Sequence, residues 1–143
     1  MSRGGGAADR VVGSEELLGV LPAADFVALT CPLTPATENL IDAKALSAIK
    51  PSAYLVNVAR GKVVNEPALV AALDKGALAG AALDCVWQEP LPADSVLWGL
   101  PNVLVTPHTA GETQRYEDNV IDLLLENLER LRRGEAALRN QFV

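Results

Sequence analysis

Leu100-Pro101-Asn102-Val103-Leu104-Val105-Thr106-Pro107-His108-Thr109-Ala110-Gly111 is the stretch from which the fold class can be read. Asn102 to Thr106 is a short apolar, β-branched run between two prolines, so it reads as a buried strand that must stop pairing at Pro107. His108, the only histidine of the chain, therefore falls at a strand's C-terminal edge. In open α/β sheets ligands bind at that edge, and histidine is the side chain whose proton moves most readily near neutral pH. Position alone does not make it functional, since a lone histidine is more often structural.

Working outward, further strands alternate with helices. Leu78 to Val86 is a small-residue-rich strand region, followed by the acidic, proline-punctuated loop Gln88-Glu89-Pro90-Leu91-Pro92. Tyr54 to Val58 is a strand running into Ala59-Arg60-Gly61, where the glycine permits a sharp turn. Asp25 to Thr30 is an apolar run stopped by Cys31-Pro32 and reads as a strand buried on both faces. Between these lie a helix after Asp42, a good N-cap, and a helix after Asn65 with Pro67 in its first turn and Gly76 beyond its end. Ser14 suits the cap of a short helix that ends before Pro22. After Gly111, Tyr116, Val120, Leu123, Leu124, Leu128 and Leu131 form one apolar stripe over residues 113–133, closed by Gly134 and packed on its own sheet. Alternating strands and helices imply βαβ units and a parallel sheet.

Composition narrows the function classes. The chain has 143 residues, 50% of them hydrophobic, and a formal charge of −6, which suits one domain with a substantial core and disfavours nucleic acid or an anionic membrane as partner. Arg130, Arg132 and Arg133 sit at the end of the long helix, where cations complement its dipole. No apolar run approaches the roughly 18 residues of a membrane span, so a cytoplasmic location is expected. The two cysteines, Cys31 and Cys85, have no metal-site spacing and read as small buried residues with free thiols. Residues 1–12 begin Gly- and Ala-rich and read as a flexible start. Gly4-Gly5-Gly6 has no strand ahead of it, and the third glycine of G-x-G-x-x-G would fall at Asp9.

In a parallel sheet all strands end at one rim, so Cys31, Arg60, Asp84 and His108 gather there. A histidine can exchange a proton, an arginine can grip a carboxylate bidentately, and a neighbouring carboxylate can hold the imidazole's tautomer. Glu89 is the candidate for that carboxylate. The assembly suits polarising and protonating a carbonyl beside a carboxylate group.

Three motifs in order carry a resemblance. Val56-Asn57-Val58-Ala59-Arg60-Gly61 with Val63-Val64-Asn65-Glu66, Gly80-Ala81-Ala82-Leu83-Asp84 with Glu89-Pro90-Leu91-Pro92, and Asn102-Val103 with Thr106-Pro107-His108 resemble the D-isomer-specific 2-hydroxyacid dehydrogenases from about Leu21 onward. The resemblance implies that Arg60 binds the carboxylate of a 2-oxo acid, His108 is the acid/base, and Glu89 pairs with His108. It also implies NAD or NADP as cofactor. Asp84 would then meet the nicotinamide carboxamide, Ala59, Ala110 and Gly111 would line the nicotinamide, and Thr30, Cys31 and Pro32 would lie beside the adenosine half. The implied substrates are small 2-oxo and 2-hydroxy acids such as glyoxylate or hydroxypyruvate, and the full-length form is expected to be a homodimer.

The chain also departs from the family pattern. Family members are about twice as long, with a second domain for substrate and an early G-x-G-x-x-G loop. Residues 1–143 are therefore expected to form an incomplete NAD(P)-binding domain: a partial Rossmann-like, doubly wound parallel sheet lacking the first strands and the glycine-rich loop, with a long C-terminal helix and a tail over 135–143. Ser2-Arg3 would be the remnant of a 2′-phosphate-binding turn. With the Phe26 and Tyr54 strands taken as third and fourth in the order 3-2-1-4-5-6, the strands between them are missing, and a gap or a collapsed sheet is expected. The chain alone is then expected to be inactive, and a noncatalytic dehydrogenase-like binding or scaffold module is the alternative.

Overall fold

The computed structural model describes residues 10–141, so the expectations for the Gly- and Ala-rich start and for Ser2-Arg3 lie mostly or wholly outside the described residues. The chain divides into two compact units, Met1–Ala110 and Gly111–Val143.

The first unit is built on a four-stranded parallel sheet. Its strands are β1 (Phe26–Leu29), β2 (Tyr54–Asn57), β3 (Gly80–Leu83) and β4 (Val103–Val105), and they lie side by side in sequence order. Phe26 pairs with Tyr54 and Leu29 with Asn57. Tyr54 pairs in turn with Gly80, and Ala81 with Val103. The expected gap is therefore absent. β1 and β2 are direct neighbours, which corrects the placing of the Phe26 strand as third in a 3-2-1-4 order. A compact crossover over residues 30–53 suffices to return the chain to the adjacent position, and the resulting order is that of one half of a doubly wound sheet.

Helices α1 (Leu17–Val20), α2 (Ala43–Ala48) and α3 (Glu66–Asp74) accompany the sheet. Asp42 caps α2 by accepting the Ala45 N–H, and Asn65 caps α3 by accepting the Ala68 N–H. Each satisfies an otherwise orphaned donor. Gly76, with φ +65, takes the left-handed conformation that ends α3 cheaply. Ser14 does not cap. The first turn begins at Ser14 itself with Glu16 N–H bonded to the Gly13 carbonyl, and Pro22 lies inside the following short turn, Leu21–Ala23. Proline is tolerated there because the first N–H groups of a turn have no internal partner.

The core joins Val27, Leu29, Leu55, Ala81 and Leu83 to Leu46, Leu69, Leu73 and Leu78. The opposite face of the sheet is open. Phe26 is 69% exposed and Leu104 61%, so the Phe26 strand is not buried on both faces and the Val103–Val105 strand is only half-buried. Apolarity of every residue in a run does not by itself require two covered faces. On the open face the Phe26 and Tyr54 rings stack, with centroids 5.7 Å apart. Gly80 makes room beneath them, because a Cβ there would lie 3.1 Å from the Tyr54 ring and 2.7 Å from the Asn102 carbonyl oxygen.

The second unit holds α4 (Tyr116–Arg132). Gly134, with φ +75, follows its end. Arg130, Arg132 and Arg133 pair with Glu126, Glu129 and Glu135. The tail returns along the helix, with the Arg139 N–H and carbonyl bonded to the Asn127 amide at 2.8 and 3.0 Å. No residue of α4 is buried. No helix among the described residues is long and apolar enough to cross a membrane.

Candidate active site

Each site residue of the first unit follows a strand, and the parallel ladder brings those strand ends to one edge. At the end of β4, His108 has φ +58, a left-handed conformation uncommon for a residue with a side chain. That turn aims the next two N–H groups at one carboxylate. Thr109 N–H donates to Asp84 Oδ1 and Ala110 N–H to Asp84 Oδ2, both at 2.9 Å. The Thr106 hydroxyl donates to Asp84 Oδ1 at 2.6 Å. Asp84 is only 6% exposed. Burial works to raise its pKa, but the Thr106 hydroxyl, the Ala110 and Thr109 N–H groups and nearby His108 outweigh it, so the carboxyl is held below its ordinary value. Asp84 is thus an ionised anchor for the loop that presents the histidine.

The imidazole points at the loop after β3. His108 Nδ1 lies 2.8 Å from Glu89 Oε2, while Glu89 Oε1 accepts the Val86 N–H at 3.1 Å. The His108 hydrogen bond is the largest influence on Glu89; with the Val86 N–H and the charges of His108 and Arg60 it outweighs burial and lowers the pKa. With Glu89 ionised, Nδ1 is the donor, and Nε2 is the nitrogen left for other chemistry. A cavity of about 570 Å³ adjoins the pair, with Asp84, Leu91, Trp98 and Val105 among its walls.

Arg60 follows β2. Its Nη1 donates to the Ala59 carbonyl at 2.7 Å, and its charge reaches Glu89. Asn57 shapes this turn from within the sheet, accepting the Ala59 N–H and donating to the Arg60 carbonyl. Ala59 is buried at 4% exposure. Gly61 has no positive φ. Its need for glycine is a close approach, because a Cβ there would collide with the Val86 carbonyl oxygen.

Thr30, Cys31 and Pro32 lie at the end of β1, the first and last exposed and Cys31 half-buried. Cys31 is thus less buried than expected, its position at the rim leaving one side open. The Pro32 carbonyl accepts the Thr37 hydroxyl at 2.7 Å. None of the three lines the cavity beside His108. Cys85 is buried. Burial, with the Glu89 and Asp84 charges and against Arg60, pushes its thiol up to about 11, so it stays neutral at ordinary pH. Gly111 opens the second unit.

Some contributors were not singled out from the sequence as site residues. Thr106 was visible only as a hydroxyl at the strand's last position. Trp98, whose indole N–H donates to the Pro92 carbonyl at 2.8 Å, carries no local signal of its place beside the histidine.

Residues 3–110 match the family described as the NAD binding domain of D-isomer specific 2-hydroxyacid dehydrogenases. The chain belongs to this family. Among curated relatives, the glyoxylate/hydroxypyruvate reductase B of Pectobacterium carotovorum is 44% identical over 109 residues, covering 76% of this chain and 34% of the reductase. The (S)-sulfolactate dehydrogenase of Chromohalobacter salexigens is 43% identical over 117 residues, covering 82% of this chain and 38% of that enzyme. The D-isomer specific 2-hydroxyacid dehydrogenase of Xanthobacter autotrophicus Py2, solved with NADPH and MES, superposes with a TM-score of 0.81 at 42% identity, over 90% of this chain and 52% of that one. The chain spans about two fifths of the length of the curated relatives it matches.

Proposed function

We propose that this chain carries the acid/base and nicotinamide-facing part of an NAD(P)-dependent oxidoreductase acting on small 2-oxo and 2-hydroxy acids, with glyoxylate and hydroxypyruvate as first candidates. The observation that carries the proposal is the contact of His108 Nδ1 with Glu89 Oε2 at 2.8 Å beside the cavity. It leaves Nε2 as the atom that exchanges a proton with substrate.

Arg60, the cation of the rim, binds the substrate carboxylate through its guanidinium fork and draws electron density from the adjacent carbonyl. Glu89 accepts the Nδ1 proton in a hydrogen bond and so fixes the tautomer and direction of the imidazole. His108 gives the Nε2 proton to the carbonyl oxygen during reduction and takes it back during oxidation. The nicotinamide, when bound, supplies or accepts the hydride at the substrate carbon.

The residues present fit such a cofactor. Asp84 Oδ2 receives one N–H, from Ala110, and a carboxylate oxygen has room for a second donor such as a carboxamide. Ala59, Ala110 and Gly111 are small enough for a flat ring to approach, and Thr30, Cys31 and Pro32 belong beside the adenosine half. The sequence contains no G-x-G-x-x-G turn, whose N–H groups would hold the pyrophosphate. Taken alone, residues 1–143, an incomplete cofactor domain, are therefore expected to be inactive.

A chimera tests the proposal. Residues 21–110 replace the matching segment of the Pectobacterium reductase, and glyoxylate and hydroxypyruvate reduction are assayed with NADH and NADPH. The folded chimera is expected to turn over, and His108→Ala to lower kcat by roughly 10²-fold, the usual scale for losing acid/base catalysis. A folded chimera without activity, or one indifferent to His108→Ala, would overturn the assignment.

A further inference from the structure

We infer that Trp87 and Glu66 are positioning residues that fix the Arg60 turn against the loop carrying Glu89, an inference resting on the reading of Arg60, Glu89 and His108 as one catalytic group. The β2–β3 ladder ends at Asn57 and Leu83, with one further bond from Asp84 N–H to the Asn57 carbonyl. Beyond that point the two strands give way to separate loops, and no regular pairing holds Arg60 at a set distance from Glu89. Side chains take over.

Trp87 stands two residues before Glu89 and is held at both of its N–H groups by the segment that follows Arg60. Its indole Nε1–H donates to the Val64 carbonyl at 2.6 Å. Its backbone N–H donates to Glu66 Oε2 at 3.1 Å, reaching from the first turn of α3. Gly61 lies directly against the Val86 and Trp87 backbone, with no space for a Cβ. Val86 N–H in turn donates to Glu89 Oε1. The path from the arginine turn to the Glu89 carboxylate is therefore continuous: Gly61 and Val64 seat Trp87, Glu66 caps it, and the Val86 N–H beside it orients Glu89. A directed hydrogen bond from an indole N–H fixes position in a way that apolar contact alone does not.

Because His108 is the sole histidine, its imidazole signals can be read by NMR in the 143-residue chain without ambiguity or turnover. The ¹⁵N shifts of Nδ1 and Nε2 report the tautomer that Glu89 selects. Glu89→Gln is expected to displace them and serves as the reference. Trp87→Phe keeps the aromatic surface but removes the indole donor, and Glu66→Ala removes the cap; both are expected to move the signals towards those of Glu89→Gln. Glu66→Gln, which retains an acceptor, is expected to restore the parent spectrum. In the unaltered chain, the Trp87 backbone and indole N–H groups are expected to exchange slowly with solvent.

Imidazole signals left at parent positions in folded Trp87→Phe would overturn the inference, as would signals that Glu89→Gln fails to move. If a variant does not fold, free exchange at both Trp87 N–H groups of the parent would overturn it, and slow exchange would uphold it. Since no step of this test requires turnover, an inactive chimera would count against the catalytic reading and leave the clasp to be judged separately.

Discussion

His108 Nδ1 and Glu89 Oε2 lie 2.8 Å apart although 19 residues separate them in the chain, and the hydrogen bond between them is the largest influence holding Glu89 below its ordinary pKa of 4.5. A carboxyl depressed in the folded state binds protons more weakly than in the unfolded chain. Its contribution to stability is complete above about 4.5 and drains away as pH falls through the folded value. Urea midpoints measured between pH 6 and pH 3 should fall towards acid, and Glu89→Gln should flatten that slope. An equal slope in the variant would mean that the pair adds nothing to folding.

Thr106→Val tests the anchor beneath the histidine. The valine keeps the shape of the side chain but removes the hydroxyl that donates to Asp84 Oδ1 at 2.6 Å, leaving a nearly buried carboxylate short of a donor. A loss of about 1.5–3 kcal/mol is expected, the usual range for a hydrogen bond to a charged group. Acid unfolding should also shift to higher pH, because Asp84 loses part of what depresses it. Denaturant titrations at pH 7 and pH 4 measure both effects.

Two glycine substitutions should act in opposite directions. Gly61→Ala places a methyl against the Val86 carbonyl and Trp87 nitrogen. Backbone cannot step aside cheaply, and a loss of about 1–3 kcal/mol or more is expected. Gly19 lies in α1 with nothing near its Cβ position, so Gly19→Ala should be neutral or stabilising by up to about 1 kcal/mol. Thermal unfolding of both variants separates a packing requirement from a generic intolerance of change.

The open sheet face should make the isolated chain associate. Phe26 and Leu104 are largely exposed, and β1 has a neighbour on one side only, a combination that invites edge pairing and apolar contact. Sedimentation velocity should show larger species as concentration rises. Phe26→Lys with Leu104→Lys should suppress them while leaving the far-UV spectrum unchanged.

Much of this was legible in the sequence because it is local. Strands announced themselves as apolar runs bounded by proline or glycine, and Asp42 and Asn65 announced their helices because a cap depends on neighbours three residues away. Glu89 was the candidate carboxylate at the rim, and the family resemblance implied its pairing with the imidazole. What was not legible depends on distant placement. Nothing within Asp25–Thr30 says which strand it will lie beside, so the neighbour of β1 is fixed only in the folded sheet. Nothing within Trp87 says that its indole will find the Val64 carbonyl, and Gly61 looks like any turn glycine until the Val86 backbone is placed against it. Alternation at Phe26 and Leu104 was hidden because exposed and buried positions are equally apolar there.

Asp84 ties two concerns into one knot. The carboxylate that shapes the histidine loop, through the Thr106 hydroxyl and the Thr109 and Ala110 amides, stands on the same rim where a cofactor's amide would be recognised. Replacing Asp84 would therefore loosen the histidine loop together with any contact the carboxylate makes to a bound molecule. A designer has more latitude at the mouth of β1, where Thr30 and Pro32 are exposed and hold no part of the histidine in place.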